Sequence, residues 1–308
     1  MAWQNAPTLT KLTASQQGGS RGAQLWGVDF KGTLYTIYQV TPGGAWSGWL
    51  GPNWAGGGAP KQVYELAAAQ QNNGCVQFFA VDTKQQLWSV SQQTPGGNWG
   101  PWVGPGWNNT PKGLAFRKIA ASQQGGSRGA QFWGITLKGI LTTCYQITAG
   151  GKWSPWQDWP QTPEKSRWIE VTAAQQNDGR VQLWAIDTKQ QLWSCWQNSP
   201  GGDWTGWSGP KWNGAPPLSN IAACQLGGSR GAQIWGVTED YTLVSDVQIS
   251  PGGGWGGWSI GSWVNTQVYD VTAAQQNNGC AQLWAITLKQ VLMSVSQISP
   301  GGEWGGWS

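Results

Sequence analysis

The chain has 308 residues, of which only 10% are charged, and its net charge of +4 is spread along the sequence without a basic cluster. This distribution argues against nucleic-acid binding. The combination of low charge with 27 Trp and 47 Gly residues argues against disorder. No apolar run approaches the roughly 20 residues of a membrane-spanning helix, so membrane insertion is not expected either.

From the N-terminus onward, the sequence repeats one pattern about every 50 residues, which is typical of a repeat architecture. Each unit closes with a Gly-Gly turn followed by Trp-x-x-Trp, at Trp46/Trp49, Trp99/Trp102, Trp153/Trp156, Trp204/Trp207, Trp255/Trp258 and Trp304/Trp307. The units span about residues 1–51, 52–105, 106–158, 159–209, 210–260 and 261–308. Because one unit is too small to bury a core alone, we expect a single domain.

The fourth unit illustrates how each unit is predicted to fold. Its strand-forming segments are Ile169–Gln175, Val181–Ile186, Leu192–Gln197 and Trp204–Trp207, separated by Gly, Pro, Asn and Asp turns. The second segment is apolar at nearly every position, so both faces of its sheet must be covered. The sequence therefore predicts an all-β fold, a six-bladed β-propeller of four-stranded antiparallel blades. Each blade should be contiguous in sequence, with blade six packing on blade one.

Two blade types alternate along the chain. Odd units carry a Gly-Gly-Ser-Arg-Gly loop with Arg21, Arg128 and Arg230, whereas even units carry a shorter loop such as Asn72-Asn73-Gly74. Five residues before the first-strand Gln, even units hold Glu65, Glu170 and Asp270, and odd units hold Lys11, Lys118 and Asn220. This alternation predicts pseudo-three-fold symmetry, with three ligand sites or two unlike sets of three. Solvated loop tips are the alternative interpretation of the repeated charges.

Three glutamines recur in every unit, for example Gln175, Gln182 and Gln197 in the fourth. Buried amides must be paired, so we interpret them as hydrogen-bonding residues within and between the blades. A direct contact with ligand is the alternative. The paired tryptophans of the turn segments are likewise interpreted as packing residues.

We expect ligand contacts on loops, because loops on a rigid scaffold often carry function. One face should hold the three loop arginines. The other should hold Lys84, Lys189 and Lys289 with the linker tryptophans Trp54, Trp107, Trp159, Trp212 and Trp263, close to Glu65, Glu170 and Asp270. Aromatic platforms beside a few polar groups suit a sugar, whose apolar face stacks while its hydroxyls need donors and acceptors. A structural role for these tryptophans remains the alternative.

No enzymatic centre is expected. The chain has no histidine, which removes Ser-His-Asp and Cys-His mechanisms and histidine metal sites. Two carboxylates can hydrolyse a glycoside, but the acids here are scattered or repeated by symmetry. The five cysteines form no CxxC pair and are predicted to be buried strand residues. We therefore predict no metal and no cofactor.

The segment from Asp178 to Ser194, Asp-Gly-Arg-Val-Gln-Leu-Trp followed by Asp-Thr-Lys-Gln-Gln-Leu-Trp-Ser, resembles tandem-repeat β-propeller lectins. The repeat motifs resemble those of bacterial fucose-binding propellers and fungal tectonin-type lectins. At the level of architecture, the resemblance extends over all six units. The resemblance implies shallow sugar sites between neighbouring blades. Six rather than seven blades and the alternating blade types depart from the bacterial group.

The sequence thus predicts a non-catalytic, multivalent lectin that recognises cell-surface glycans, with fucose or GlcNAc-type units as candidate sugars. A protein–protein scaffold is the alternative. The N-terminal Met1-Ala2-Trp3-Gln4 lacks the features of a signal peptide. We therefore expect a soluble protein made in the cytoplasm, with non-classical release left open.

Overall fold

The computed structural model describes residue 3 and residues 5–162, 164–260 and 267–308. Its regular elements are almost entirely strands, with two short 3-10 turns at Trp107–Asn109 and Trp212–Gly214. The strands are β1 (Leu9–Gln16), β2 (Ala23–Asp29), β3 (Leu34–Tyr38), β4 (Val63–Gln70), β5 (Val76–Asp82), β6 (Leu87–Ser91), β7 (Phe116–Gln123), β8 (Ala130–Thr136), β9 (Leu141–Tyr145), β10 (Gln157–Asp158), β11 (Trp168–Gln175), β12 (Val181–Asp187), β13 (Leu192–Trp196), β14 (Asn220–Gln225), β15 (Ala232–Val237), β16 (Leu243–Val247), β17 (Ser259–Ile260), β18 (Val268–Gln275), β19 (Ala281–Thr287) and β20 (Leu292–Ser296).

These strands form six antiparallel sheets, each made of strands consecutive in sequence. Sheets 1 to 6 contain β1–β3, β4–β6, β7–β10, β11–β13, β14–β17 and β18–β20. The predicted contiguity of each unit is thus confirmed at the level of sheets. Within the described ranges, only sheets 3 and 5 have a regular fourth strand. In every sheet, however, the segment after the Gly-Gly turn is joined to the third strand by a bridge, at Gln39–Trp46, Gln92–Trp99, Gln146–Trp153, Gln197–Trp204, Gln248–Trp255 and Gln297–Trp304.

The first strands of the six sheets lie next to one another. β1 contacts β4, and the series continues through β7, β11, β14 and β18, which in turn contacts β1. Sheet 6 is tied to sheet 1 by side chains as well. Tyr269 Oη donates to the carbonyl of Leu9 at 3.1 Å, and Gln16 Nε2 donates to Asn277 Oδ1 at 2.7 Å. Sheet 6 therefore contacts sheet 1 through strand packing and side-chain hydrogen bonds.

Apolar cores lie between neighbouring sheets. The second strands supply their largest buried residues, including Trp26, Trp133, Trp184 and Trp235, each with 0% exposure. The core between sheets 1 and 2, for example, joins Trp26 to Phe78 at a ring-centroid distance of 5.1 Å. The apolar second strands are thus covered on both faces, as their sequence predicted. Among the described residues, no helix is long and apolar enough to cross a membrane.

The two loop types interlock where an even sheet meets the next odd one. The Asn72 side-chain amide donates to the carbonyls of Gln124, Gly126 and Arg128 in the loop of sheet 3. Asn177 and Asn277 make matching contacts with the loops of sheets 5 and 1. The short even loop therefore acts as a clamp on the longer odd loop, which gives the alternation a structural reason.

Candidate functional site

The predicted acids Glu65, Glu170 and Asp270 lie on the first strands, where they face the lysines of neighbouring strands. Lys118 Nζ is 2.8 Å from Glu170 Oε2 and 3.3 Å from Glu65 Oε1. Lys11 Nζ is 3.1 Å from Asp270 Oδ1 and 3.6 Å from Glu65 Oε1. We call these residues, together with Asn220, the charged ring. Asn220 donates to Asp270 at 3.1 Å in the place that a third lysine would occupy.

Burial sets the protonation chemistry of the charged ring. It raises the pKa of Glu65, and the ammonium groups of Lys11 and Lys118 act in the opposite direction. Burial also opposes the charge on Lys11, but Asp270, Glu65 and Glu170 hold the pKa of Lys11 well above its ordinary value. The space enclosed by the ring is about 80 Å³. This is small beside the roughly 300–1,000 Å³ of typical ligand pockets, so the ring geometry favours a structural role for the three acids.

The linker tryptophans lie between the sheets. Trp107, Trp159 and Trp212 are only 7%, 9% and 7% exposed, and Trp54 is half-buried. Each packs edge-on against a turn-segment tryptophan; the Trp107 and Trp153 centroids, for example, are 4.8 Å apart. Their Gly/Pro setting led to the expectation of accessible platforms, yet the apolar wedge between two sheets buries them. This burial supports the structural alternative. Trp263 lies outside the described residues.

The lysines predicted on the linker face are exposed at Lys84, Lys189 and Lys289. Lys84 borders a cavity of about 380 Å³ beside the linker after sheet 2, and no aromatic side chain lines that cavity. The acid at the start of the same turn is buried. Asp82 accepts the indole N–H of Trp88 at 2.9 Å, and Asp187 accepts that of Trp193 at 3.0 Å. At this cavity the structure therefore does not bring Lys84 together with the face of a linker tryptophan.

The odd-loop arginines lie at the boundaries with the following even sheets. Arg21 stacks over Tyr38 at 3.9 Å, and Arg128 over Tyr145 at 4.1 Å. Arg230 borders a cavity of about 550 Å³ between sheets 5 and 6. The arginines are thus separated from the charged ring and from the exposed lysines, and they belong to the gaps between sheets.

We call the gaps between neighbouring sheets clefts and number each by its two sheets. Cleft 2/3 has a volume of about 340 Å³, and its lining includes Asn73, Gln77, Ser89, Ser91, Gln92, Trp107 and Trp153. Cleft 5/6 is lined by Arg230, Gln233, Ser245, Val247, Glu303 and Trp304 among others. Both clefts therefore combine amide and hydroxyl groups of one sheet with the turn-segment tryptophan of the next.

Hydrogen bonds hold the polar wall of the clefts in place. The second-strand Gln donates to the third-strand Ser or Thr in all six sheets, for example Gln182 to Ser194 at 2.8 Å. The Gln that follows the third strand bonds to both backbone and side chains. Gln197 Oε1 accepts from Val181 N at 3.0 Å, and Gln92 Nε2 donates to Gln17 Oε1 of the preceding sheet at 2.6 Å. This confirms the predicted pairing of the recurrent glutamines, and their lining of the clefts leaves ligand contact open.

The cleft-lining serines, Glu303 and the turn-segment tryptophans were not predicted as ligand residues. The sequence does carry a signal for them, because a Ser or Thr lies twelve residues after each second-strand Gln. This spacing identifies a hydrogen-bonded pair only when the register between the second and third strands of each sheet is known. Among the described residues, no group of acids and cysteines is arranged to hold a metal ion.

In sequence, no protein-family model matches the chain, and no curated protein matches it significantly. In structure, it is similar to the BP39L lectin of Burkholderia pseudomallei, with 20% identity, a TM-score of 0.63, and coverage of 96% of this chain and 82% of that one. It is also similar to the fungal lectin of Aleuria aurantia, described as a six-bladed β-propeller with a novel mode of fucose recognition, with 16% identity, a TM-score of 0.66 and coverage of 98% and 95%. AofleA of Arthrobotrys oligospora matches with 14% identity, a TM-score of 0.67 and coverage of 97% and 85%. These likenesses show that the chain shares the fold of these proteins.

Proposed function

We propose that the chain is a closed six-bladed β-propeller that binds glycans without catalysis, through several sites repeated in the clefts between blades. Each blade would count the bridged turn segment as its fourth strand. The similar solved structures support this function because they include the fucose-specific lectin of Aleuria aurantia and the SapL1 lectin in complex with α-methyl fucoside. The candidate ligands are terminal sugar units of cell-surface glycans, with fucose and GlcNAc-type units foremost.

The observation that carries the proposal is the composition of clefts 2/3 and 5/6. Their volumes of about 340 and 550 Å³ fall within the range of small-ligand pockets. Trp153 and Trp304 are half-buried and offer aromatic surface at the edge of each cleft, while Gln and Ser groups provide donors and acceptors for hydroxyls. In this assignment, the sugar ring would stack on the turn-segment tryptophans rather than on the linker tryptophans. Arg21, Arg128 and Arg230 remain ligand candidates at the odd-to-even clefts.

Repetition of the clefts would allow several weak sites to bind one glycan surface with a higher apparent affinity. A shallow monosaccharide site often binds near the millimolar range, about −4 kcal/mol. Simultaneous engagement of several sites on one surface raises the apparent affinity by about 10²–10⁴. The protein would then recognise dense glycan surfaces and agglutinate cells, and would ignore isolated sugars at low concentration.

A protein–protein scaffold remains the second candidate because one row of apolar side chains is exposed. Val40, Ile147, Ile249 and Ile298 follow the third-strand Gln in four sheets and are 50%, 52%, 62% and 72% exposed. Such residues suit contact with a protein surface. They lie outside the clefts described above, so the two functions use different residues.

A glycan array with labelled, folded protein tests the proposed function. We expect binding to several glycans that share one terminal sugar, and competition by the corresponding free methyl glycoside. A silent array with protein that unfolds cooperatively would contradict glycan binding. The variant Ile249→Ser with Ile298→Ser serves as a control, because glycan binding should not change when only the exposed apolar row is altered.

A further inference from the structure

We propose that the clefts following even sheets are not equivalent and that Arg180 and Trp196 close cleft 4/5, whereas clefts 2/3 and 6/1 are open. This inference rests on the proposed glycan binding in the clefts. It assigns to two residues of sheet 4 the role of blocking a site that the repeat would otherwise encode.

The first residue is Arg180, which occupies the position of Cys75 in sheet 2 and Cys280 in sheet 6. Cys75 lines open cleft 2/3. The Arg180 side chain, by contrast, bridges to the neighbouring turn: its Nη2 atom lies 1.4 Å from the point where a Cβ on Gly252 would stand. Gly252 corresponds to Gly150, which lines cleft 2/3. The guanidinium group therefore covers a surface that is part of the open cleft elsewhere.

A local ion pair holds Arg180 in this position. Its Nε and Nη2 atoms donate to Asp178 Oδ2 at 2.8 and 2.6 Å. At the equivalent positions, sheets 2 and 6 have Asn73 and Asn278, whose uncharged amides instead approach Gly150 and Gly43. The Asp-Gly-Arg sequence of sheet 4 therefore supplies both the blocking group and its anchor, whereas Asn-Gly-Cys in the other even sheets supplies neither.

The second residue is Trp196, at the end of the third strand of the same sheet. Trp196 pairs with Gln182 in sheet 4 as Ser91 pairs with Gln77 in sheet 2. Directly paired residues of antiparallel strands project from the same face, and Ser91 and Gln77 both line cleft 2/3. Trp196 thus replaces a small serine with an indole on the cleft side. Sheet 6 again matches sheet 2, with Ser296 paired to Gln282.

The three clefts share one backbone hydrogen bond to a recurrent glutamine. Gly150 N donates to Gln71 Oε1 at 2.7 Å, and Gly252 N and Gly43 N donate to Gln176 and Gln276 at 2.8 Å. Cleft 4/5 is therefore built as the others are and is filled by two larger side chains. Exchange of Asp178, Arg180 and Trp196 for the smaller or uncharged residues of sheets 2 and 6 should open it.

The opening variant is Asp178→Asn with Arg180→Cys and Trp196→Ser, which copies sheets 2 and 6. The closing variant is Asn73→Asp with Cys75→Arg and Ser91→Trp, which copies sheet 4 into cleft 2/3. The probes are methyl glycosides of L-fucose, D-galactose, D-mannose and N-acetyl-D-glucosamine, each titrated separately. Native mass spectrometry counts the sugars bound per chain, and thermal unfolding verifies that each variant is folded.

We expect the opening variant to bind one sugar more than the unaltered chain, and the closing variant to bind one fewer. Unchanged counts in folded variants, with sugar still bound, would overturn the assignment of Arg180 and Trp196 alone. A lower count in the opening variant would also overturn it, because Arg180 and Trp196 would then be ligand contacts. Absence of any sugar on all three proteins would overturn the proposed function together with this inference.

Discussion

Single glycines determine how closely neighbouring sheets approach one another. A Cβ on Gly125 would lie 2.2 Å from the carbonyl oxygen of Gly179 and 2.6 Å from Pro200 Cβ. Gly18 and Gly227 meet the matching atoms of sheets 2 and 6 at similar distances. The Gly-Gly pair of the odd loop is therefore needed for close contact between an odd sheet and the turn of the next even sheet.

The variant Gly125→Ala should destabilise the protein by about 1–3 kcal/mol, because the added methyl group overpacks a contact between two backbones. Urea unfolding measures the change. Gly206→Ala is the matched control, since nothing lies within 4 Å of its Cβ position. Equal stabilities of the two variants would contradict the requirement for close approach at residue 125.

Two tyrosines of even sheets connect to the first strand of the next odd sheet. Tyr64 donates to the carbonyl of Phe116, and Tyr269 to that of Leu9. Burial, with the nearby carboxylates of Glu65 and Asp82, raises the pKa of Tyr64 to about 12. Burial and the Asp270 carboxylate raise the pKa of Tyr269 to about 12 as well. The folded protein therefore retains these phenolic protons at pH values where the unfolded chain loses them.

A raised pKa in the folded state gives a contribution to stability that is present below pH 10 and declines as the pH rises from about 10 to 12. Tyr269→Phe should lower the free energy of unfolding at pH 7 by about 1 kcal/mol, through loss of the hydrogen bond to Leu9. It should also reduce the dependence of stability on pH between 10 and 12. Tyr241→Phe, at an exposed tyrosine, is the control. An unchanged pH slope for Tyr269→Phe would refute the assignment.

At the scale of the elements, opposite charges on five of the first strands, with Asn220 on the sixth, link these strands through the charged ring. The sequence predicted the alternation of Lys11, Glu65, Lys118 and Glu170 from their fixed spacing to the strand-end Gln. It did not predict their partners, because the ion pairs form between strands about 50 residues apart that meet only after all the sheets have assembled.

Replacement of Lys118 tests whether the charged ring is structural. Lys118→Met leaves the buried carboxylates of Glu65 and Glu170 without a shared partner, which should cost about 3–5 kcal/mol in the free energy of unfolding. Lys118→Asn, which copies Asn220, should cost less because an amide donates to a carboxylate, as Asn220 does to Asp270.

Exposed Lys112 provides the control for the charged ring. Lys112→Met should leave the midpoint of chemical unfolding unchanged. A Lys118→Met protein as stable as this control would mean that the ring contributes little. Retained stability combined with lost glycan binding would instead place the acids in a ligand site, as the sequence first suggested.

The linker segments show why accessibility was harder to predict than the fold. Trp107 and Trp212 each begin a 3-10 turn in a Gly-, Pro- and Asn-rich segment, and such a composition usually marks solvent-exposed loops. Here the turn directs the indole back between two sheets, because a large apolar side chain fills the wedge-shaped space between them. Periodicity reveals that a Trp recurs in the linker, but the direction of its side chain depends on tertiary packing.

At the scale of the molecule, the repeat generates clefts that share one frame and differ in their lining. The residue that ends the third strand is Tyr38, Ser91, Tyr145, Trp196, Val247 or Ser296, in order along the chain. Turn residues add further differences, such as Asn98, Asp203 and Glu303 beside the odd-to-even clefts. The alternation predicted three sites or two unlike sets of three, and the lining shows that clefts also differ within each set.

The count of sugars bound per chain tests the central claim most directly. Isothermal titration with the methyl glycoside of the terminal sugar identified on the array yields this count. We predict more than one sugar per chain, bound weakly at each cleft, together with agglutination of cells that display the same sugar. A single site per chain, or no binding by the folded protein, would contradict the account of a lectin whose sites are repeated in the clefts between sheets.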